Sequence, residues 1–462
     1  MVAQEFQAIV LAAGRGSRLL EVVVEDTPKC LLPIGPNPLL WYPLNMLQLH
    51  KFQDVIVVVL ENERTEIQLA LERTPLKLKV DYVAIPTDCD FGTADSLRYI
   101  HEKIKSDFIV VSCDIVTNVC LYPLFNKFRQ HDATVAALLF KSGFENDATL
   151  PGPKSKQKPE RDLIGIHPDS QRLLLLAAIS DFEEVMNINA HLLRKNGKIA
   201  IYSRLLDSHI YVMKKWILDF LLKKANFSTL KGEFLPYIIK KQMFKASEPS
   251  VASRDGSNSE TGVNINPGAD IFHYITKSSL DQQIAKTSLF NDSRSREPYH
   301  GDLLRCYAIE APKDAVGVRV NTTLSFYAVN QKLSTIWPLL CGDHLQPLIS
   351  PSAIVNSTQH KEIAAGDSAK LSEKTSLNTS VFGPSCVINP KNIINKSIIM
   401  ANAIVEEGCN IENSIVGSKA VIKRGTTLKS CLIGPNFVVE EGTKKQMQHL
   451  SNADGFMEID YQ

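Results

Sequence analysis

Columns of apolar and small residues recur every 17 positions toward the C-terminal end, and this repeat restricts the architecture more tightly than any other feature of the chain. Val381, Ile398, Ile415 and Leu432 form one column, and Val387, Ile404, Val421 and Val438 another. Ile394, Ile411 and Leu428 form a third, with Leu377 one step earlier. Gly383, Gly417 and Gly434 share a lattice on which Met400 fills the missing place, and Gly408, Gly425 and Gly442 make a further set. Steps within a period are close to six residues. The spacing predicts a left-handed parallel β-helix of hexapeptide repeats, with three short strands per coil, one inward apolar residue per strand and glycine at the corners. A coil needs about 18 residues, so 17 leaves one corner a residue short, and counting back through Leu371 to Ile354 gives about five coils. The β-helix is expected over residues 345–442, followed by a tail, 443–462.

The rest of the chain has another rhythm. Strand-like runs at Phe6–Ala13, Val55–Leu60, Phe108–Ser112 and Val135–Phe140 alternate with helical periodicity such as Ala94–Ile104 and Leu121–Gln130. This pattern reads as βαβ units around a buried, mostly parallel sheet, an α/β Rossmann-like domain over residues 1–335. The sheet pattern resumes at Asp207–Met213, and Arg305–Ile309 with Tyr327–Leu333 read as a last strand and helix. Gly152–Asp162, with prolines and lysines, reads as a solvated loop. Residues 246–270, rich in Ser, Asn, Asp and Gly, read as a disordered insertion.

Composition removes several function classes. Lys plus Arg is 51 and Asp plus Glu is 50, a net charge of +1, so no global field holds a polyanion and no direct nucleic-acid partner is expected. The nine cysteines contain no Cys-x-x-Cys pair, which argues against a zinc ribbon or a disulfide framework. No apolar run approaches the roughly 18 residues of a membrane span, and the N-terminus lacks a basic signal-like start. These features predict a soluble protein of the cytosol.

Chemistry concentrates after the first strand, in Leu11-Ala12-Ala13-Gly14-Arg15-Gly16-Ser17-Arg18-Leu19 and then Pro28-Lys29-Cys30-Leu31-Leu32-Pro33. Glycine lets backbone come close to phosphate, and backbone N–H groups with Arg18 and Lys29 can neutralise it. The full arrangement resembles the signature of nucleotidyltransferases that join a nucleoside triphosphate to a sugar-1-phosphate, enzymes that pair such a domain with a C-terminal left-handed β-helix. The resemblance implies a nucleotide-contacting loop at Gly92-Thr93-Ala94 and a magnesium ligand at Asp114.

Departures from that family are equally informative. Ser17 stands for the usual Thr, Glu21 replaces a proline, and the spacing to Pro28-Lys29 is a residue longer. Asp95 places an acid where phosphates would be repelled. No Glu-Lys-Pro string serves a sugar phosphate; Arg161-Asp162-Leu163-Ile164-Gly165 stands in that neighbourhood. The stretch that carries the second magnesium-ligating Asp in the enzymes reads Val318-Arg319-Val320-Asn321-Thr322, with Arg319 at the Asp position. A guanidinium cannot coordinate Mg²⁺, and transfer would lose its charge clamp.

Phe91-Gly92-Thr93-Ala94-Asp95-Ser96-Leu97-Arg98-Tyr99-Ile100, Val111-Ser112-Cys113-Asp114 and Asp207-Ser208-His209-Ile210-Tyr211 are similar to the versions found in the gamma-subunit family of translation initiation factor 2B. That resemblance implies a non-catalytic member of a heteromeric guanine-nucleotide exchange factor complex, with the epsilon subunit, the other subunits and translation initiation factor 2 as partners. It implies no cofactor, no metal and a vestigial nucleotide pocket at Gly14, Gly16, Ser17, Arg18, Lys29, Gly92 and Asp114. Arg319 is then expected to pair with Asp114, bidentate, in place of the lost metal. Lys29 and Arg18 either cap the glycine loop or pair with Asp95 or Asp114. Asp207 and His209 read as a dyad or, by the family pattern, as strand-start residues. Cys386, Cys409 and Cys431 read as interior or corner residues of the β-helix. Two alternatives stand beside this reading. One is an active sugar-1-phosphate nucleotidyltransferase resembling GDP-mannose pyrophosphorylase. The other is a β-helix acyltransferase, which needs a histidine base that the stretch between Lys361 and Gln446 lacks.

Overall fold

The structure, a computed structural model, describes residues 5–19, 28–153, 161–181, 186, 188, 190–244, 270–275, 279–291, 297–342 and 346–451. Its first part is built on β1 (Gln7–Leu11), α1 (Trp41–Leu49), β2 (Asp54–Leu60), α2 (Arg64–Glu72), β3 (Lys79–Ile85), α3 (Thr93–Tyr99) and β4 (Phe108–Ser112). It continues with α4 (Tyr122–Gln130), β5 (Val135–Lys141), β6 (Leu205–Met213), α5 (Trp216–Lys223), β7 (Cys306–Glu310), α6 (Thr323–Gln331) and α7 (Leu333–Cys341). The seven strands form one sheet in the order β7-β5-β6-β4-β1-β2-β3, and only β6 runs against its neighbours. Successive side chains of a strand point to opposite faces, so runs such as Ile56-Val57-Val58-Val59 feed two cores at once. Ile9, Val58 and Val110 pack with α3 and α5 on one face, while Val10, Val57 and Val111 pack with α1, α2 and α4 on the other.

The expected runs are all strands, with ends moved by one or two residues. The helix read at Ala94–Ile104 stops at Tyr99 and gives way to a 3₁₀ turn, His101–Lys103. The last helix starts at Thr323, earlier than expected, because the Thr322 side chain accepts the Ser325 N–H and caps it. The lysine-rich stretch 154–160, the insertion 245–269 and the tail 452–462 lie outside the described residues.

Beyond residue 346 three parallel six-stranded sheets wind around one core, and each strand pairs with the one a coil further on, as Val381 with Ile398, Ile415 and Leu432 in turn. The step is 17 residues except at the start, where Val355, not Ile354, pairs with Leu371. Strands continue past Gly442 to His449–Leu450. Buried serines brace the coils: Ser380, Ser397 and Ser414 each accept the backbone N–H 17 residues on, at 3.0–3.2 Å. Cys386, Cys409 and Cys431 are buried in the interior. Left-handed backbone at one corner is supplied by Lys374 (φ 56°) and Lys391 (φ 61°) in early coils and by Gly408, Gly425 and Gly442 later. The glycine column therefore fades toward the N-terminal coils, although the geometry is kept.

Two of the three apolar columns point outward, not inward. Each of those strands carries adjacent apolar residues, and the core takes the second: Phe382, Ile399, Val416 and Ile433 on one face, and Ile388, Val405, Ile422 and Val439 on another. Only Leu377, Ile394, Ile411 and Leu428 face inward as expected. The outward column Val381, Ile398, Ile415 and Leu432 packs instead on Trp41, Phe326, Leu333, Ile336 and Trp337 of the α/β domain. The Tyr327 hydroxyl donates to Lys396 O at 2.9 Å across this seam. The other outward column stays in solvent, with Ile404 39% and Val438 43% exposed. Ile398→Ala should therefore cost about 2–5 kcal/mol, as a core truncation does. Ile404→Ala should stay within about 0.5 kcal/mol. Denaturant unfolding of the two variants measures the difference.

Candidate functional site

The ends of β1 and β4, the start of α3, a bulge in β6 and residues Thr229–Leu230 surround a cavity of about 280 Å³. Gly14, Gly16, Lys29 and Gly92 line it, whereas Arg18 and Asp114 do not, and the Ser17 side chain lies outside those described. The other lining residues include Phe91, Thr93, Ser96, Ser112, His209, Tyr211, Thr229 and Leu230. Gly16 has φ +69°, and an added Cβ would meet Lys29 Cβ at 3.0 Å, so glycine lets the loop fold back over the lysine. At Gly92 an added Cβ would lie 2.3 Å from Ser228 O, which only glycine permits. The register of β6 against β5 shifts between Asp207 and Tyr211, His209 has φ 55°, and the bulge turns His209 into the cavity.

Asp114 lies beneath this cavity, 2% exposed. Its Oδ2 receives Lys29 Nζ at 2.7 Å and Arg319 Nη2 at 3.4 Å, and Ser112 Oγ donates to its Oδ1 at 2.7 Å. The approach of Arg319 matches expectation, but one nitrogen meets one oxygen, and Lys29 makes the shorter contact. An antiparallel ribbon places it there: Gly317–Arg319 pairs with Ile115–Thr117, opposing Arg319 to Ile115, and Val320 N donates to Asp114 O at 2.7 Å. Burial alone would push the Asp114 carboxyl up; Lys29, then Arg319 and His209, overcome this and hold it well below the usual carboxylate range.

Asp95 does not face the cavity as a bare charge. Its carboxylate accepts Gly92 N at 3.1 Å and Ser228 Oγ at 2.6 Å, and pairs with Arg98. It caps its own helix and pins the segment that follows α5. Ser228 O takes the Ala94 N–H at 2.8 Å, so part of the α3 N-terminus is already satisfied. Asp207 is inside β6, not at its start. It accepts the Tyr211 hydroxyl and His209 N, while His209 Nε2 stays 3.9 Å away, so the rings and carboxylate form no dyad. Arg18 is exposed on the 3₁₀ turn Ser17–Leu19 and is not among the lining residues; Glu21 lies outside the described residues. Thr229 and Leu230 carry no local sequence signal, and His209 and Tyr211 reach the cavity only through the bulge in β6.

The depressed Asp114 pKa fixes a pH dependence. Its stabilisation is fully present above the unfolded value of about 3.9 and is lost as pH falls through the lower folded value. Asp114→Asn leaves two cations facing each other and should cost about 3–5 kcal/mol at pH 7. The gap to the parent should narrow below about pH 4, as followed by urea unfolding across pH.

A nucleotidyl transferase family model matches residues 7–149, and a GMPPB C-terminal domain model matches residues 360–447. The eIF2B subunit gamma of Caenorhabditis elegans is 32% identical over 246 residues, which is 52% of this chain and 59% of that protein, so the match spans less than two thirds of the nematode subunit. The gamma subunit of Schizosaccharomyces pombe is 29% identical over 70% of this chain and 69% of its own length. That of Dictyostelium discoideum is 25% identical over 84% and 89%. A nucleotidyl transferase fold leading into a β-helix thus goes together with similarity, at 25–32% identity, to eIF2B gamma subunits of three organisms.

Proposed function

We propose that this chain is a non-catalytic subunit of the eIF2B complex, supporting GDP/GTP exchange that an epsilon-type partner carries out on translation initiation factor 2. The observation that carries the non-catalytic part is the crowding of Asp114 by cations. Mg²⁺ takes oxygen ligands in near-octahedral geometry, usually with one or two carboxylates and substrate phosphates. Here one carboxylate is at hand, its Oδ2 is shared by Lys29 and Arg319, and its Oδ1 holds the Ser112 hydroxyl. These donors do not fit the metal that the fold family uses. Among the described residues, no group of three or more His, Cys, Asp and Glu side chains is arranged to hold a metal ion. On this reading the site carries out no nucleotidyl transfer.

The glycine loop, Lys29 and an open cavity favour the competing reading, an active sugar-1-phosphate nucleotidyltransferase. The two separate by assay. The purified chain with Mg²⁺, GTP or UTP and a sugar-1-phosphate should release pyrophosphate no faster than a protein-free control; steady turnover would overturn the proposal. For the partnership, co-expression with an epsilon-type subunit should yield a stable complex with faster GDP release from translation initiation factor 2 than the epsilon-type subunit gives alone. Equal rates would count against a supporting role.

A further inference from the structure

We infer that the charge centre at Asp114 and the docking of the β-helix are the two ends of one closed frame, so that a change at the centre loosens or tightens the seam between the domains. Two limbs leave the shared Asp114 oxygen. The first runs from Lys29 through the 3₁₀ turn Lys29–Leu31 into a hairpin, Pro33–Ile34 with Asn37–Pro38. At its tip Gly35 (φ +58°) is pressed against the seam: an added Cβ would lie 2.2 Å from Leu333 Cδ2 and 3.8 Å from Ala364 Cβ, the latter in the β-helix. The second limb runs from Arg319 through Val320, bonded to Asp114 O at 2.7 Å, into α6. Eight residues on, Tyr327 reaches Lys396 O and Asn413 of the β-helix.

The limbs are tied again at their far ends. Asn330 Oδ1 accepts Gly35 N at 3.0 Å, and the side chain of Asn330 is anchored by Phe326 O at 3.1 Å. The space between them is filled by Leu32, Ile34, Val318, Val320 and Phe326, all buried in the same cluster as the docked β-helix column. A loop of contacts closed at both ends and packed in the middle cannot absorb a shift at one end locally, because packed interiors are close to incompressible. Lys29 is the member open to outside influence, since an anion entering the cavity it lines would compete with Asp114 for its ammonium. This frame stands on the geometry alone and does not depend on the scaffold role.

The chain carries three tryptophans, and Trp41 and Trp337 are stacked at 5.9 Å in the seam, so Trp216→Phe leaves emission only from that pair. In this full-length background, Asp114→Asn and Lys29→Gln should each raise acrylamide quenching of the pair at least twofold. Hydrogen exchange in β2, which lies outside the frame, should be unchanged. Tyr327→Phe, at the seam itself, should give the same quenching rise and shows that the signal reports docking. Quenching equal to the parent in a folded Asp114→Asn or Lys29→Gln variant would overturn the inference. So would a rise matched by faster exchange in β2, since that would be general loosening. If Asp114→Asn does not fold, Lys29→Gln, which keeps the Arg319 contact, decides alone.

Discussion

A carboxylate sealed from water stays ionised only if cations meet it, and Asp114 obtains both of its cations from distant parts of the chain, 85 and 205 residues away. Desolvating such a group without partners would cost several kcal/mol, so the loop after β1, the end of β4 and the ribbon before α6 meet at one carboxylate oxygen. The cavity above it inherits its shape from that arrangement. Gly16 folds over Lys29 because the lysine must reach down, and the bulge in β6 brings His209 to the same cavity. The base of the cavity is organised around fixed side-chain charge, Lys29 and Arg319 on Asp114.

Much of this was legible in the sequence, for identifiable reasons. Continuous β-branched runs such as Val55–Leu60 read as buried strands because both faces of the sheet are covered. The helix Trp41–Leu49 gave no stripe, since Trp41 through Leu47 are all buried. The edge strand Lys79–Ile85 alternates with charges and did not resemble its neighbours. In the site, glycines and Lys29 announce themselves through a local string, whereas Thr229 and Leu230 arrive by tertiary approach. Asp95 was legible in kind but not in use: Gly92-x-x-Asp95 has the spacing of a capping pair, and the acid spends its charge on its own helix.

The repeat shows a different limit. A period of 17 fixes the coil and its three faces, but on two of those faces two adjacent apolar residues per strand leave open which one enters the core. Packing decides. Phe382, Ile399, Val416 and Ile433 fill the interior, and the residues before them become a second apolar surface that needs its own cover. On one face α6, α7 and Trp41 provide it; on another the equivalent column remains in water. The domain boundary is thus a continuation of the hydrophobic core, not a hinge between finished bodies.

That covered face has a consequence for how the molecule is made. Ribosomes deliver the N-terminal domain first, and domains fold as units while synthesis proceeds. The surface formed by Trp41, Phe326, Leu333 and Trp337 is therefore complete before Val381 emerges, and Ile398, Ile415 and Leu432 follow at intervals of 17 residues. A solenoid in isolation can start anywhere and grow in either direction. This one has a wall to build against, and each new coil finds its outward side chain a ready place before the next coil exists.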